Sequence, residues 1–133
     1  MAGKSDYLEN KVLDHILGNT AYSAPATVYF GLYTSNPTDA GGGTEVSGVS
    51  YARVSKTNNT TNFPNAVSGV KSNGTSVDFP TAGSAWGSVQ SVGVFDAPTG
   101  GNLLYWAPLA SAIVVPNGGQ LSFAIGQLIF IED

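Results

Sequence analysis

The residues able to do chemistry are few. His15 is the only histidine, and there is no cysteine. Thiolate catalysis, disulfides and cysteine metal sites are therefore excluded. A Ser-His-Asp site would have to be assembled by the fold around His15, and no GxSxG stretch exposes a serine. Zinc held by histidine needs a second histidine or a cluster of carboxylates, and neither stands at a suitable spacing. The nine acids are Asp6, Glu9, Asp14, Asp39, Glu45, Asp78, Asp96, Glu132 and Asp133. Three fall in the first segment and two at the end, while most of the others sit at turns or strand ends. Asp96 opens the turn DAPTGG, where an aspartate bonds the local backbone. No pair of carboxylates is singled out for acid–base work.

The stretch PTDAGGGTEVSG, residues 37–48, sets three glycines between Asp39 and Glu45. A phosphate cradle needs a lysine and a hydroxyl residue after the glycines. Here Thr44 and Glu45 follow, and the acid repels phosphate. A dinucleotide fingerprint must run from strand to helix, but no helical pattern follows. Two oxygen-rich acids suit calcium in type, yet the alternating acids of a calcium loop are missing. The expectation is a flexible spacer between strands, its acids solvated or capping turns, with no metal and no cofactor.

Around these residues the composition points to a β framework. Only 11% of the 133 residues are charged, against about 25% in ordinary soluble domains. Glycine is frequent, and serine, threonine and asparagine fill the turns. The five basic residues, Lys4, Lys11, Arg53, Lys56 and Lys71, form no run, and net charge is −4. That argues against nucleic-acid binding, which needs clustered cations. The opening residues lack a signal-peptide pattern, and no segment has the length and apolarity to span a bilayer. The length suits one domain over residues 1–133.

One segment is helical by period. SDYLENKVLDHILG offers Ser5 as N-cap, acids in the first turns, a stripe of Leu8, Val12, Leu13, Ile16 and Leu17, and Gly18 as stop. The stripe either packs on its own domain or docks on a partner. His15 sits near the end of this helix, where a cation complements the dipole. From about residue 26 to 131 the pattern changes to about eight short strands divided by turn signals. TVYFGLYT is apolar on both parities, as a doubly covered strand would be. SYARVSK puts Tyr51 and Arg53 on one face. Asn73-Gly74 reads as a hairpin turn between AVSGVKS and TSVDF, and PNGG at 116–119 as another. QLSFAIGQLIFIED reads as two strands kinked at Gly126. The fold class expected is all-β: an antiparallel, jelly-roll-like sandwich with one N-terminal helix at about 5–17. Trp86, in GSAWGSV, is flanked by small residues and is the candidate for a partly exposed interface anchor.

Three longer stretches carry a resemblance: YLENKVLDHILGNTAYSAP, VYFGLYTSNPTDAGGGTEVSGVSYARV and VDFPTAGSAWGSVQSVGVFDAPTGGNLLYWAPL. Together they resemble a family of small tailed-bacteriophage virion proteins. Residues 56–72 match less well, so no contact of that loop is carried over. The resemblance implies a non-enzymatic structural protein made in the bacterial cytoplasm and carried on the virion. Small jelly-roll cement proteins of the capsid offer one model: a homotrimer that decorates the outer head surface and stabilises the major capsid protein shell. A tail-tip or tail-fibre protein that binds a host glycan or another tail protein is the alternative. Contact surfaces expected in either case are Leu8, Val12 and Ile16 on the helix, Asp39 and Glu45 in the glycine-rich loop, and Trp86.

Overall fold

TVYFGLYTS forms a strand covered on both sides, and the rest of the architecture follows from that. The computed structural model describes residues 3–132. In chain order its elements are β1 (Gly3–Lys4), α1 (Asp6–Ile16), β2 (Thr27–Ser35), β3 (Thr44–Glu45), β4 (Val54–Thr57) and β5 (Val70–Ser72). They continue with β6 (Val77–Asp78), β7 (Gly87–Phe95), β8 (Leu103–Val115), β9 (Ser122–Phe123) and β10 (Ile129–Ile131). The main sheet runs β1-β8-β7-β2-β3, with β4 also on the outer edge of β2. All pairings are antiparallel. Two short ribbons, β5 with β10 and β6 with β9, supply the second layer. The result is an antiparallel sandwich with one N-terminal helix.

Alternation along the strands decides which side chains fill it. Val28, Phe30 and Leu32 of β2 and Val92 and Val94 of β7 face the ribbons. There they meet Val77, Phe79, Leu121, Phe123 and Leu128 in one buried cluster. Tyr29 and Tyr33 point the other way, onto Phe95, Leu103 and Trp106. That outer face is where the polar site described below is built.

Two hairpin expectations are corrected. Asn73-Gly74 does not join two paired strands, because β5 pairs with β10 and β6 with β9. The Asn73 amide is buried; it donates to the carbonyls of Thr75 and Ala124 and accepts from the Leu128 amide. It fastens one ribbon to the connection between β9 and β10. The turn at Pro116–Gly119 forms, with Gly119 N–H on the Pro116 carbonyl at 2.9 Å. It does not pair β8 with β9, since β8 lies on β7 and β9 on β6. The kink at Gly126 is present, at φ 79°.

The helix begins as its sequence predicts. Ser5 is extended, and its Oγ accepts from the Leu8 amide at 3.3 Å. The same hydroxyl donates to the Leu103 carbonyl, and Ser5 N–H reaches Leu104 O at 2.8 Å. The cap therefore also fastens the helix start to β8. At the other end the helix stops at Ile16 with Leu17 as its C-cap, directly before Gly18, and Asn19 is the residue at positive φ, 54°.

Candidate functional site

An ion pair is built into the outer face of the main sheet. Gly31 of β2 lies opposite Gly93 of β7. A Cβ on Gly31 would stand 2.9 Å from Glu45 Oε2 and from Phe95 Cε2, and 3.2 Å from the Tyr51 hydroxyl. One on Gly93 would stand 2.9 Å from Tyr33 Cε2. The glycine pair thus opens a shallow floor that larger groups occupy.

Arg53 fills the space above it. Its Nε and one terminal nitrogen donate to the two oxygens of Glu45 at 2.9 and 2.8 Å. The other terminal nitrogen donates to the carbonyls of Ala97 and Gly100 at 2.8 and 2.9 Å. The guanidinium carbon lies 3.5 Å from the centre of the Phe95 ring, a cation–π stack. Tyr51 donates to Glu45 Oε2 at 2.7 Å and accepts from the Leu32 amide at 2.9 Å. Only 6% of the Arg53 side chain is exposed.

These contacts fix the protonation states. Burial pushes the Glu45 carboxyl up, but hydrogen bonds from Arg53 and Tyr51, with the Arg53 charge, outweigh it and hold the group below its ordinary value. Burial, and after it the bond to Glu45, raises Tyr51 well beyond the ordinary tyrosine range. Burial also raises Tyr33, to about 12, with the Glu45 charge adding to it. Burial lowers Arg53, yet its bond to Glu45 leaves it raised on balance. Glu45 is a carboxylate with both oxygens engaged, which suits a structural tie and not proton transfer.

The glycine-rich loop is a clamp rather than a spacer. Thr38 and Gly41 exchange two backbone hydrogen bonds. The Asp39 carbonyl accepts from the Asp6 amide at the helix start, and its carboxylate accepts from Trp106 Nε1 at 2.9 Å. Gly43 is at φ 73°, and a Cβ there would meet the backbone of Ser35 and Pro37 at 2.7 Å. Asp39, Glu45, Arg53 and Tyr33 line a depression of about 450 Å³ between this loop and the turn at 96–102. Asp96 holds that turn as expected, its Oδ1 accepting from the Asn102 amide at 2.7 Å.

The expected contact residues are placed differently from one another. Leu8 is 5% exposed and lies in its own chain's interior, so it is not a surface contact. Trp86 is also 5% exposed. Its indole donates to the Val49 carbonyl at 3.0 Å, and Tyr51 meets it edge-on. A Cβ on Gly48 would lie 2.4 Å from the ring, so small neighbours let the indole sink into the core. Glu45 is bound to Arg53 and not solvated, whereas Asp39 is exposed apart from its bond to Trp106. Val12 and Ile16 are 37% and 69% exposed. Every residue from Glu9 to Thr20 is exposed, so the helix leaves the body after Leu8 as an arm with its apolar stripe in water. Arg53 is the residue that sequence reasoning missed; the signal was its shared face with Tyr51.

A second feature lies on the far side of β8. Phe30, Val94, Tyr105 and Phe130 are shared by two adjoining hollows of about 410 and 220 Å³. Together they form an apolar groove between β8 and β10, with Ile113 and Ile129 at its lip. Among the described residues, no group of three or more His, Asp or Glu is placed to hold a metal ion.

Residues 3–131 match the family model described as Podophage GP4 fiber I protein gp80. The chain belongs to that family. It is accordingly a bacteriophage structural protein and a virion component. No curated protein matches it.

Proposed function

We propose that the chain is a non-catalytic structural subunit of a tail fibre, held in the virion by surface contacts of its helical arm. The arm is the observation that carries this reading. An eleven-residue helix anchored by Ser5 and Leu8, with Val12, Leu13, Ile16 and Leu17 in solvent, is too short to be stable on its own. Such a stripe is retained where assembly covers it. The family description supports a fibre at least as well as the head coat that the sequence resemblance favoured. The engagement of Glu45 and Arg53 by each other supports a role without bond-making.

Gold-labelled antibody against the purified chain, imaged on intact particles, tests the position. Label confined to the tail, with a copy number that follows the tail proteins, is the expected result. Label over the whole head, in numbers that follow the major capsid protein, replaces this reading with the capsid-decoration one.

A further inference from the structure

We propose that the helical arm docks into the groove between β8 and β10 of a second copy of this chain. The proposal rests on the structural-subunit reading and supplies the partner that reading leaves open.

The arm and the groove are both apolar. The arm presents Leu13, Ile16 and Leu17 at 56%, 69% and 79% exposure. The groove is walled mainly by apolar side chains, buried at its floor and exposed at Ile113 and Ile129. An amphipathic helix laid into an apolar groove is a recurrent mode of recognition.

Charge is complementary too. Lys71 is the only charged residue lining the two hollows. It has no ion pair among the described residues. On the arm, Asp14 stands three residues before Leu17 and so lies at the edge of the apolar stripe. Seating the stripe brings that acid to the lysine.

The arm cannot fill the groove of its own chain. Leu8 lines the inner end of the smaller hollow, so the helix starts at the groove and points away from it. A straight helix of eleven residues runs about 16 Å. Turning it back would break the Ser5 cap and the bonds of Ser5 to Leu103 and Leu104. Each copy therefore offers one arm and one groove on different surfaces. Such a contact is either exchanged reciprocally in a two-fold dimer or repeated head-to-tail in a ring or file.

The chain has no cysteine, so introduced thiols are unique. Leu17→Cys and Ile129→Cys proteins are prepared separately, mixed, and treated with a short bismaleimide. A covalent dimer in the mixture, absent from either protein alone, is expected. Light scattering should show association of the parent chain that Leu13→Asp abolishes while the circular dichroism of the sheet is kept. Asp14→Lys should weaken association roughly fivefold, and adding Lys71→Glu should restore it. The proposal is overturned by a parent chain that stays monomeric, or by association indifferent to Leu13→Asp. It is equally overturned by Leu17→Cys cross-linking to itself, or by a doubly substituted chain that cross-links internally at high dilution. These results are independent of particle labelling: a failed cross-link with tail label removes only the docking, and head label with a successful cross-link removes only the fibre position.

Discussion

The helical arm and the Arg53 knot dispose of their functional groups in opposite ways. Around Arg53 each hydrogen-bonding group finds its partner within the chain: two carboxylate oxygens, two backbone carbonyls, a phenol and an aromatic face. The arm finds little: beyond Leu8 its apolar stripe is increasingly exposed, from 37% at Val12 to 79% at Leu17. A region whose bonds are all made internally adds stiffness and has little left to offer a partner. A region with unmet apolar surface adds little to the monomer and is available for assembly. The difference separates what holds the subunit together from what joins it to others.

The largest test of that division is Arg53→Met. It strands the Glu45 carboxylate beside Tyr51 and frees the turn at 96–102. Loss of one partner of a largely buried pair should cost about 3 kcal/mol. Urea unfolding measures it, and a loss below about 1 kcal/mol would mean that the knot is incidental. Gly31→Ala comes next. Its methyl group would crowd Glu45, Phe95 and Tyr51 together, at a cost on the order of 2 kcal/mol. The same change at Gly3, where a Cβ meets nothing within 4 Å and the backbone is not left-handed, is the control: it should cost little if crowding is what Gly31 avoids.

Acid should expose the knot more gently. Because the native Glu45 carboxyl titrates below its ordinary value of 4.5, the unfolded chain takes up protons first as the pH falls. Its contribution is therefore complete above about pH 4.5 and fades as the pH drops through the folded value. Urea midpoints of the parent should fall over that window, and Glu45→Gln should lack this component of the slope. Tyr33 acts at the alkaline end. With the native phenol raised to about 12, the unfolded chain ionises first above pH 10, so stability declines from there upward. Tyr33→Phe should flatten that decline. The smallest effect belongs to the arm: Leu13→Asp should move the unfolding free energy of the monomer by no more than about 0.5 kcal/mol. A collapse of the fold would show that the stripe belongs to the core after all.

Local signals in the sequence were legible and distant ones were not. Ser5, the acids after it and the stripe fixed the start of the helix, because capping and period involve neighbours only. Whether the stripe faced inward depended on where β8 placed it. The covered strand at 27–35 was readable because both of its parities are apolar. Asn73-Gly74 misled because turn preference is local, while the Asn73 amide bonds Ala124 and Leu128, 51 and 55 residues away. Trp86 misled for a related reason: small neighbours describe a bare surface and a tight socket equally well. In the candidate site, Tyr51 and Arg53 were seen to share a face, but the partner they converge on lies across a glycine that carried no signal of its own.

The pairing of Val70 with Ile131 bears on how the subunit is made. Synthesis must reach the last strand before the ribbon that carries Asn73 can close over the main sheet. Until then a nascent chain keeps a greasy sheet face uncovered and open to chaperones and proteases. A product cut short before that point lacks β10 and leaves β5 without its partner strand.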